Sequence, residues 1–228
     1  MDRDEIIRVL QALETARLEY VLIGATAMGF HGIVRATEDL DLLIRATTDN
    51  IERLRVALRQ VYDDDAHINE ISTADLLGEY PAVRYYPPSG DLFFDVLTRL
   101  GDVASFETVE AETKDIQGTK VRVATPRALH KLRYSTRTGS RGRGGFERTL
   151  QLEGRNLNMT VQKFRSIEEM NNASVHETRK PDFEQFLRHC ARYWAIAPKS
   201  YPRGVFKFRS IEEAQLARKE HDVLRESQ

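Results

Sequence analysis

The sequence predicts an α/β (α+β) protein, in which a small mixed sheet with flanking helices is followed by a small, mainly helical C-terminal unit. Three observations support this prediction. Short β-type apolar runs alternate with helical patterns up to residue 136, and helical patterns dominate the C-terminal part. Between them, the stretch 137–145 (RTGSRGRGG) holds four glycines and three arginines, a composition typical of a flexible basic linker. We therefore expect domains at 1–136 and 159–228 joined by a linker at 137–158, the alternative being a long loop inside one domain.

Composition narrows the classes of protein to which the chain can belong. Apolar residues make up 41% of the 228 residues and charged residues 30%, which suits a folded protein with a buried core. The single cysteine, Cys190, excludes a disulfide framework within the chain and a cysteine-only zinc site. The chain has no apolar run approaching 18 residues, and its opening MDRDEIIRVL lacks a signal-peptide pattern. We therefore expect a cytoplasmic protein that has no membrane partner.

Charge is distributed unevenly along the chain. Residues 1–136 hold 16 lysines and arginines against 23 aspartates and glutamates, a balance of −7. Residues 137–228 hold 18 against 12, a balance of +6. These opposite signs favour docking of the second part of the chain on the first.

Periodicity and capping signals predict the first five elements in chain order. A helical pattern covers 3–18, a buried strand 20–24 (YVLIG) follows it, and 25–31 forms a short helix. The second strand is 39–44 (DLDLLI). A helix over 51–62 follows the capping residues Thr48, Asp49 and Asn50.

Turn signals place the remaining elements of the first domain. Strands at 83–86 and 92–97 (LFFDVL) are joined across a turn that contains two prolines and a glycine. A hairpin turning at Gln117-Gly118 leads into a strand over 121–124. Pro126 then opens a helix that runs through Leu132.

The second half of the chain contains an internal repeat. The sequence KFRSIEE occurs at Lys163–Glu169 and again at Lys207–Glu213. Each copy contains Ser-x-x-Glu, the pattern of a capping box, in which the serine and the glutamate satisfy early amides of a helix. Each copy is therefore expected to begin a helix after a short extended segment.

The clearest amphipathic helix of the chain lies between the two copies, over 182–195. Its apolar residues follow the helical period along one face: Phe183, Phe186, Leu187, Cys190, Tyr193 and Trp194. A unit of about 70 residues makes only a thin core of its own. We therefore expect this face to pack on a partner surface, for which the N-terminal domain is the candidate. His189 and Cys190 are adjacent in sequence and point in different directions, which argues against a metal site there.

Three aspartates stand in otherwise apolar strands. Asp39 and Asp41 are two residues apart, so both carboxylates project from the same face, and Asp95 occupies a similar position in LFFDVL. Buried like charges are costly unless a cation compensates them, and Mg²⁺ prefers such hard oxygen ligands. The sequence thus predicts a magnesium site, the alternative being an edge strand with a solvated acidic face.

Gly24, Ala25 and Thr26 end the first strand and enter a helix. Backbone amides and the positive end of a helix can hold a triphosphate. The alternative is a turn that serves packing alone.

Residues 20–98 resemble the minimal nucleotidyltransferases of the DNA polymerase β-like superfamily, in which a strand and a small-residue turn precede Asp-x-Asp and a third acid on a later strand. The stretch GATAMGFHGIVRATEDLDLLI is similar to nucleotidyltransferase toxins of AbiE and MenT type, as is the lysine-bearing helix in ATPRALHKL. The resemblance covers about residues 5–134 and implies transfer of a nucleoside monophosphate from an NTP with release of pyrophosphate. For MenT-like members the acceptor is the 3′ end of tRNA. From Met159 onward the chain resembles a small antitoxin, which implies a toxin fused to its cognate antitoxin.

The resemblance also implies roles for individual residues. The three aspartates bind two metal ions beside the attacking hydroxyl, and the turn at 24–26 contacts the nucleotide. Lys131 neutralises triphosphate charge, unless it is an exposed helix lysine, and Arg35 contacts phosphates, unless it faces solvent. His31 either caps and packs the short helix or touches the nucleotide.

Two other functions remain open at this stage. One is a small-molecule nucleotidyltransferase that adenylylates antibiotics, and the other is a non-catalytic interaction module whose acidic cluster binds only an ion. Regulation is a separate hypothesis. Thr37 lies two residues before Asp39, so a phosphate there would repel an incoming NTP, whereas the alternative is a strand threonine with an unreactive hydroxyl.

Overall fold

The computed structural model describes residues 2–135 except positions 34, 64, 91, 102 and 103, together with 182–196 and 201–217. The predicted linker at 137–158 and the first copy of the repeat lie outside the described residues.

The described chain alternates helices and strands in the predicted order. Its first part contains α1 (Arg3–Thr15), β1 (Tyr20–Ile23), α2 (Gly24–Phe30), β2 (Asp39–Ile44), α3 (Thr48–Val61), a 3₁₀ helix (Ala66–Glu70), α4 (Thr73–Leu77), β3 (Ala82–Tyr86), β4 (Phe93–Leu97), β5 (Arg99–Leu100), β6 (Ala104–Ser105), β7 (Ala111–Ile116), β8 (Thr119–Ala124) and α5 (Pro126–Ser135). The C-terminal part contains α6 (Phe183–Ile196), β9 (Gly204–Phe208) and a last helix over 211–217. The 3₁₀ helix, α4, β5 and β6 were not predicted, because their short sequences carry too few periods to show a pattern.

A seven-stranded mixed sheet forms the centre of the molecule, in the order β7-β8-β1-β2-β4-β3-β9. β2 pairs with β4 in parallel, as β1 does with β8, and the other neighbours are antiparallel. The mixed α/β fold predicted from the sequence is thereby confirmed.

The edge strand β9 was not predicted for the C-terminal unit, whose other described elements are helices. β9 leads into the second KFRSIEE copy, includes its Lys207 and Phe208, and pairs with β3 over the whole length of that strand, from Ala82↔Phe208 to Tyr86↔Gly204. The expected capping box follows: Ser210 Oγ accepts from the Glu213 amide (3.2 Å), and the Glu213 carboxylate accepts from the Arg209 amide (2.6 Å). The C-terminal segment, defined here as residues 201–217, thus extends the sheet of the N-terminal part.

Local chemistry explains where elements begin and turn. Thr47, one residue before the expected cap, is the N-cap of α3 and accepts from the Asn50 amide at 3.3 Å. Gln117 and Gly118 both have positive φ (53° and 83°), as the two-residue hairpin turn between β7 and β8 requires.

The helix α6 packs its apolar face on α2 and α1. Phe183 stacks on Phe30 with ring centroids 3.7 Å apart, and a Cβ at Gly29 would lie 2.5 Å from the Phe186 ring. Phe186, Leu187 and Cys190 are fully buried, whereas Tyr193, expected on the same face, is 40% exposed.

At the start of α6, Arg3 donates to Glu184, which lowers the pKa of that carboxyl.

Among the described residues, no helix combines the length and the apolar composition needed to cross a bilayer.

Candidate active site

The pairing register of the sheet brings the three aspartates together. Asp41 and Asp95 are direct partners on the parallel strands β2 and β4, and Asp39 lies two residues before Asp41 on the same face. Each of the three offers an oxygen, and these oxygens all lie within 4.8 Å of one another. Asp39 and Asp95 are 5% and 7% exposed, and Asp41 is half-buried. We call this cluster the acidic triad.

The acidic triad fits a divalent cation. Three carboxylates held this close repel one another, and burial of two of them strengthens the repulsion. Carboxylate oxygens are the ligands that hard divalent ions prefer. The half-buried Asp41 leaves the cluster accessible from one side. The arrangement could therefore hold a metal ion at the surface of the sheet.

Gly24 makes room for Asp41. Its φ is +68°, and a Cβ built on it would lie 1.8 Å from Asp41 Oδ2. Only glycine tolerates both the backbone conformation and the close approach. The turn at this position thus serves the acidic triad directly.

Replacing Gly24 with alanine should displace the Asp41 carboxylate and lower the free energy of unfolding by about 2–4 kcal/mol, from overpacking and positive φ together. Urea denaturation measures the loss. Gly118→Ala is the matched control, since Gly118 has φ +83° and a Cβ added to it would have no neighbour within 4 Å. Equal losses of unfolding free energy in Gly24→Ala and Gly118→Ala would show that the close approach to Asp41 does not destabilise the variant.

The other residues of the turn point inward. Thr26 is fully buried, and its hydroxyl donates to the Asp39 carbonyl at 3.0 Å, which fixes the start of β2 beside α2. Ala25 is also buried. The Thr26 side chain thus positions Asp39, and contact of the turn at 24–26 with a nucleotide stays a prediction.

Thr37 contacts Asp39 directly. It is 7% exposed, and its hydroxyl donates to Asp39 Oδ1, so the expected same-face placement is observed. The Thr37 backbone also makes a hydrogen bond with the Cys190 thiol on α6. Burial raises the pKa of that thiol. Because the fold buries the Thr37 hydroxyl, a phosphate switch would require this region to open first.

Substitutions at Thr37 separate hydrogen bonding from charge. Thr37→Ser keeps the donor to Asp39 and should stay close to wild type. Thr37→Val removes it and should cost about 1.5–3 kcal/mol of stability, the range for hydrogen bonds to charged groups. Thr37→Glu places a second carboxylate against Asp39 and should also reduce transfer. Thermal unfolding and nucleotide-transfer rates measure these effects, and a Thr37→Glu protein as stable as Thr37→Ser would contradict the assignment.

Arg84 is the residue that sequence analysis missed. It is 3% exposed on β3 and pairs with Asp95 across the strands. Its Nε donates to Asp95 Oδ1 at 2.6 Å and its Nη2 to Oδ2 at 2.8 Å, a two-pronged buried ion pair. A charged residue within AVRYY was the available signal, because a buried arginine needs an anion.

Replacing Arg84 with methionine should lower the free energy of unfolding by about 3–5 kcal/mol, because it leaves the Asp95 charge buried beside the other two acids. Urea denaturation at neutral pH measures the loss. The double variant Arg84→Met/Asp95→Leu removes both charges and should recover much of the stability. No recovery in the double variant would mean that the ion pair itself, and not the orphaned charge, carries the effect.

The C-terminal segment lies beside the triad. The Tyr201 hydroxyl donates to the buried Glu38 carboxylate, one residue before Asp39. Its ring stacks on Tyr86 with centroids 5.0 Å apart and meets Phe93, the β4 neighbour of Asp39, edge to face at 5.2 Å.

Of the remaining predicted site residues, His31 and Arg35 lie between α2 and β2, and Lys131 lies on α5. His31 caps α2, and its Nε2 lies 2.8 Å from the Ala124 carbonyl, while burial lowers its pKa, so it packs the helix against β8. Arg35 is exposed, and Lys131 is exposed on α5, which packs against α2. Contact of Arg35 or Lys131 with phosphates stays a prediction.

Comparison with known proteins identifies the family. Neither a curated protein nor a solved structure matches the chain. A sequence model of the family described as nucleotidyl transferase AbiEii toxin, type IV toxin–antitoxin system, matches residues 8–129, more than half of the chain. The matched region contains the acidic triad, Gly24 and Arg84. The chain therefore belongs to the AbiEii family of nucleotidyl transferase toxins.

Proposed function

We propose that the protein is a Mg²⁺-dependent nucleotidyltransferase that moves a nucleoside monophosphate from an NTP to the 3′ end of tRNA in the cytoplasm. The acidic triad carries this proposal, since three carboxylate oxygens within 4.8 Å of one another form the kind of oxygen ligand set that Mg²⁺ prefers. The family supplies the reaction class. The tRNA acceptor follows from the sequence resemblance to MenT-type enzymes.

Each residue of the site has a part in this reaction. Asp39, Asp41 and Asp95 would hold Mg²⁺, which neutralises triphosphate charge and stabilises the leaving pyrophosphate. Gly24 admits the Asp41 carboxylate. Thr26 donates to the Asp39 carbonyl and Thr37 donates to the Asp39 carboxylate. These two hydrogen bonds hold the Asp39 ligand in place before substrate arrives. By the family resemblance, Asp95 would lie beside the attacking hydroxyl of the acceptor.

We further propose that the C-terminal region acts as an inhibitor of the same chain, as an antitoxin would. The C-terminal segment packs on β3 and reaches Glu38 beside the triad. The net charge of 137–228 is opposite in sign to that of 1–136, which favours this docking at low salt.

Incubation with each radiolabelled NTP and total tRNA tests the proposal. Label is expected in tRNA, dependent on Mg²⁺ and absent with the Asp41→Asn protein. Parallel reactions contain aminoglycosides in place of tRNA, and label there would favour the antibiotic-modifying alternative. No transfer to either acceptor, with the wild-type chain and with a chain ended after Ser200, would favour the non-catalytic alternative.

A further inference from the structure

We propose that Arg84 couples the C-terminal segment to the metal site: docking of the segment holds the Arg84 guanidinium on Asp95 and thereby lowers the affinity of the acidic triad for a divalent cation. This inference rests on the proposed metal site and adds a means of regulating it.

Arg84 opposes a bound cation by its position. Its guanidinium occupies one lone pair on each oxygen of Asp95. Each oxygen keeps a second lone pair, so Asp95 can still act as a ligand. Three negative charges against one positive leave the cluster a net formal charge of −2. A divalent ion that binds there shares Asp95 with another cation, which weakens its binding.

The C-terminal segment strengthens the hold of Arg84 on Asp95. The guanidinium lies over the rings of both Phe93 and Phe208, 5.3 and 5.5 Å from their centroids. Its Nη1 also donates to the Ala214 carbonyl at 3.3 Å. Phe208 and Ala214 belong to the C-terminal segment. They keep water from the ion pair, and an ion pair shielded from water is much stronger than a solvated one.

The same segment is attached by contacts that leave the triad untouched. Lys207 pairs with Asp75 at 2.6 Å, and Arg209 pairs with Glu79 at 2.8 Å, and neither pair includes a residue of the acidic triad. When the segment leaves, β3 becomes the edge strand and Arg84 meets water. A solvated pair between Arg84 and Asp95 is worth little, so the cation then competes for Asp95 at small cost.

Thermodynamic linkage makes the coupling reciprocal. If docking lowers the affinity for the cation by some factor, the bound cation must weaken docking by the same factor. The two effects can be measured separately, and neither needs nucleotide or acceptor.

Titration of Mn²⁺ alone into the full-length chain, followed by the electron paramagnetic resonance of free Mn²⁺, tests the first effect. Phe208→Ala removes the ring over Arg84, and Lys207→Ala/Arg209→Ala removes two of the contacts that attach the segment, besides its pairing with β3 and the Tyr201–Glu38 hydrogen bond, without touching Arg84. Both proteins should bind Mn²⁺ at least about fivefold more tightly than wild type, the lower end of usual coupling factors. Lys120→Ala, which breaks an exposed ion pair with Asp115 on the opposite edge of the sheet, should bind as wild type does.

Hydrogen exchange of wild-type β3 and β9 amides tests the second effect. Saturating Mn²⁺ should speed their exchange by the same factor, whereas the Asp41→Asn protein should show no such response. Equal Mn²⁺ affinities in wild type, Phe208→Ala and Lys207→Ala/Arg209→Ala would overturn the inference. Amide exchange rates in β3 and β9 that do not change with Mn²⁺ would also overturn it. Either result would leave the proposed metal site standing. A triad that binds no Mn²⁺ in any of these proteins would overturn the metal site and the inference together.

Discussion

The Asp41→Asn protein should fold normally and lose nucleotide transfer almost completely. Asparagine keeps the shape of the side chain beside Gly24 but removes one of three charges that would hold the cation. Loss of a single preorganised electrostatic group typically slows catalysis by about 10²–10³-fold, and loss of a metal ligand should reach at least that range. Steady-state transfer rates at saturating Mg²⁺ measure the effect, and Asp39→Asn should behave in the same way.

The thermal stability of the Asp41→Asn protein distinguishes a loss of catalysis from misfolding. Because Asp41 lies beside two other carboxylates, its neutralisation relieves repulsion, so thermal unfolding without metal should occur at the wild-type temperature or slightly above it. Asp115→Asn is the matched control, because Asp115 is an exposed acid on the hairpin edge of the sheet. Transfer by Asp41→Asn at the rate of Asp115→Asn would exclude the acidic triad as the catalytic metal site.

The acidic triad could be predicted because its signal is local. An aspartate in an apolar strand is conspicuous, and the strand 39–44 was predicted at its observed bounds. The alternation of side chains then places Asp39 and Asp41 on one face whatever the neighbouring strand is. Asp95 required only that LFFDVL be another strand of the same sheet.

Arg84 and β9 could not be predicted in the same way, because their roles depend on which strands become neighbours. AVRYY shows an arginine but not that Asp95 lies directly across from it. β9 is only five residues long, and its sequence GVFKF does not alternate apolar and polar residues, so periodicity does not predict a strand there. Their pairing with β3 joins residues more than 115 positions apart, which local patterns do not encode.

The division into two domains rests on composition and charge, and it stays a prediction. Composition places a break in the chain at 137–145, yet the described residues beyond it, 182–196 and 201–217, pack on the N-terminal part. Composition describes a segment and its solvation, whereas domain membership is set by contacts. A truncation therefore tests inhibition by the C-terminal segment only if it ends after α6, and one that also removes α6 tests folding.

A chain ended after Ser200 should remain folded and gain nucleotide transfer, with arrest of growth when it is expressed in cells. This truncation removes β9 and the last helix, whose buried apolar side chains are Phe208 and Ala214. Their loss should cost roughly 2–4 kcal/mol, which a domain of ordinary stability, about 5–15 kcal/mol, can tolerate. It also opens the triad side of the sheet at Glu38 and Arg84.

Ending the chain after Leu157 should instead prevent folding, because α6 is then lost as well. Five further apolar side chains leave the core: Phe183, Phe186, Leu187, Cys190 and Trp194. At about 1.5–3 kcal/mol each, their burial is worth roughly 8–15 kcal/mol, comparable to the whole stability of a domain. Circular dichroism and thermal unfolding should therefore distinguish the two truncations before any assay of activity. A chain ended after Ser200 that folds yet transfers nucleotide no faster than the full-length protein would exclude the C-terminal segment as an inhibitor, and the segment would then be a structural part of the nucleotidyltransferase sheet.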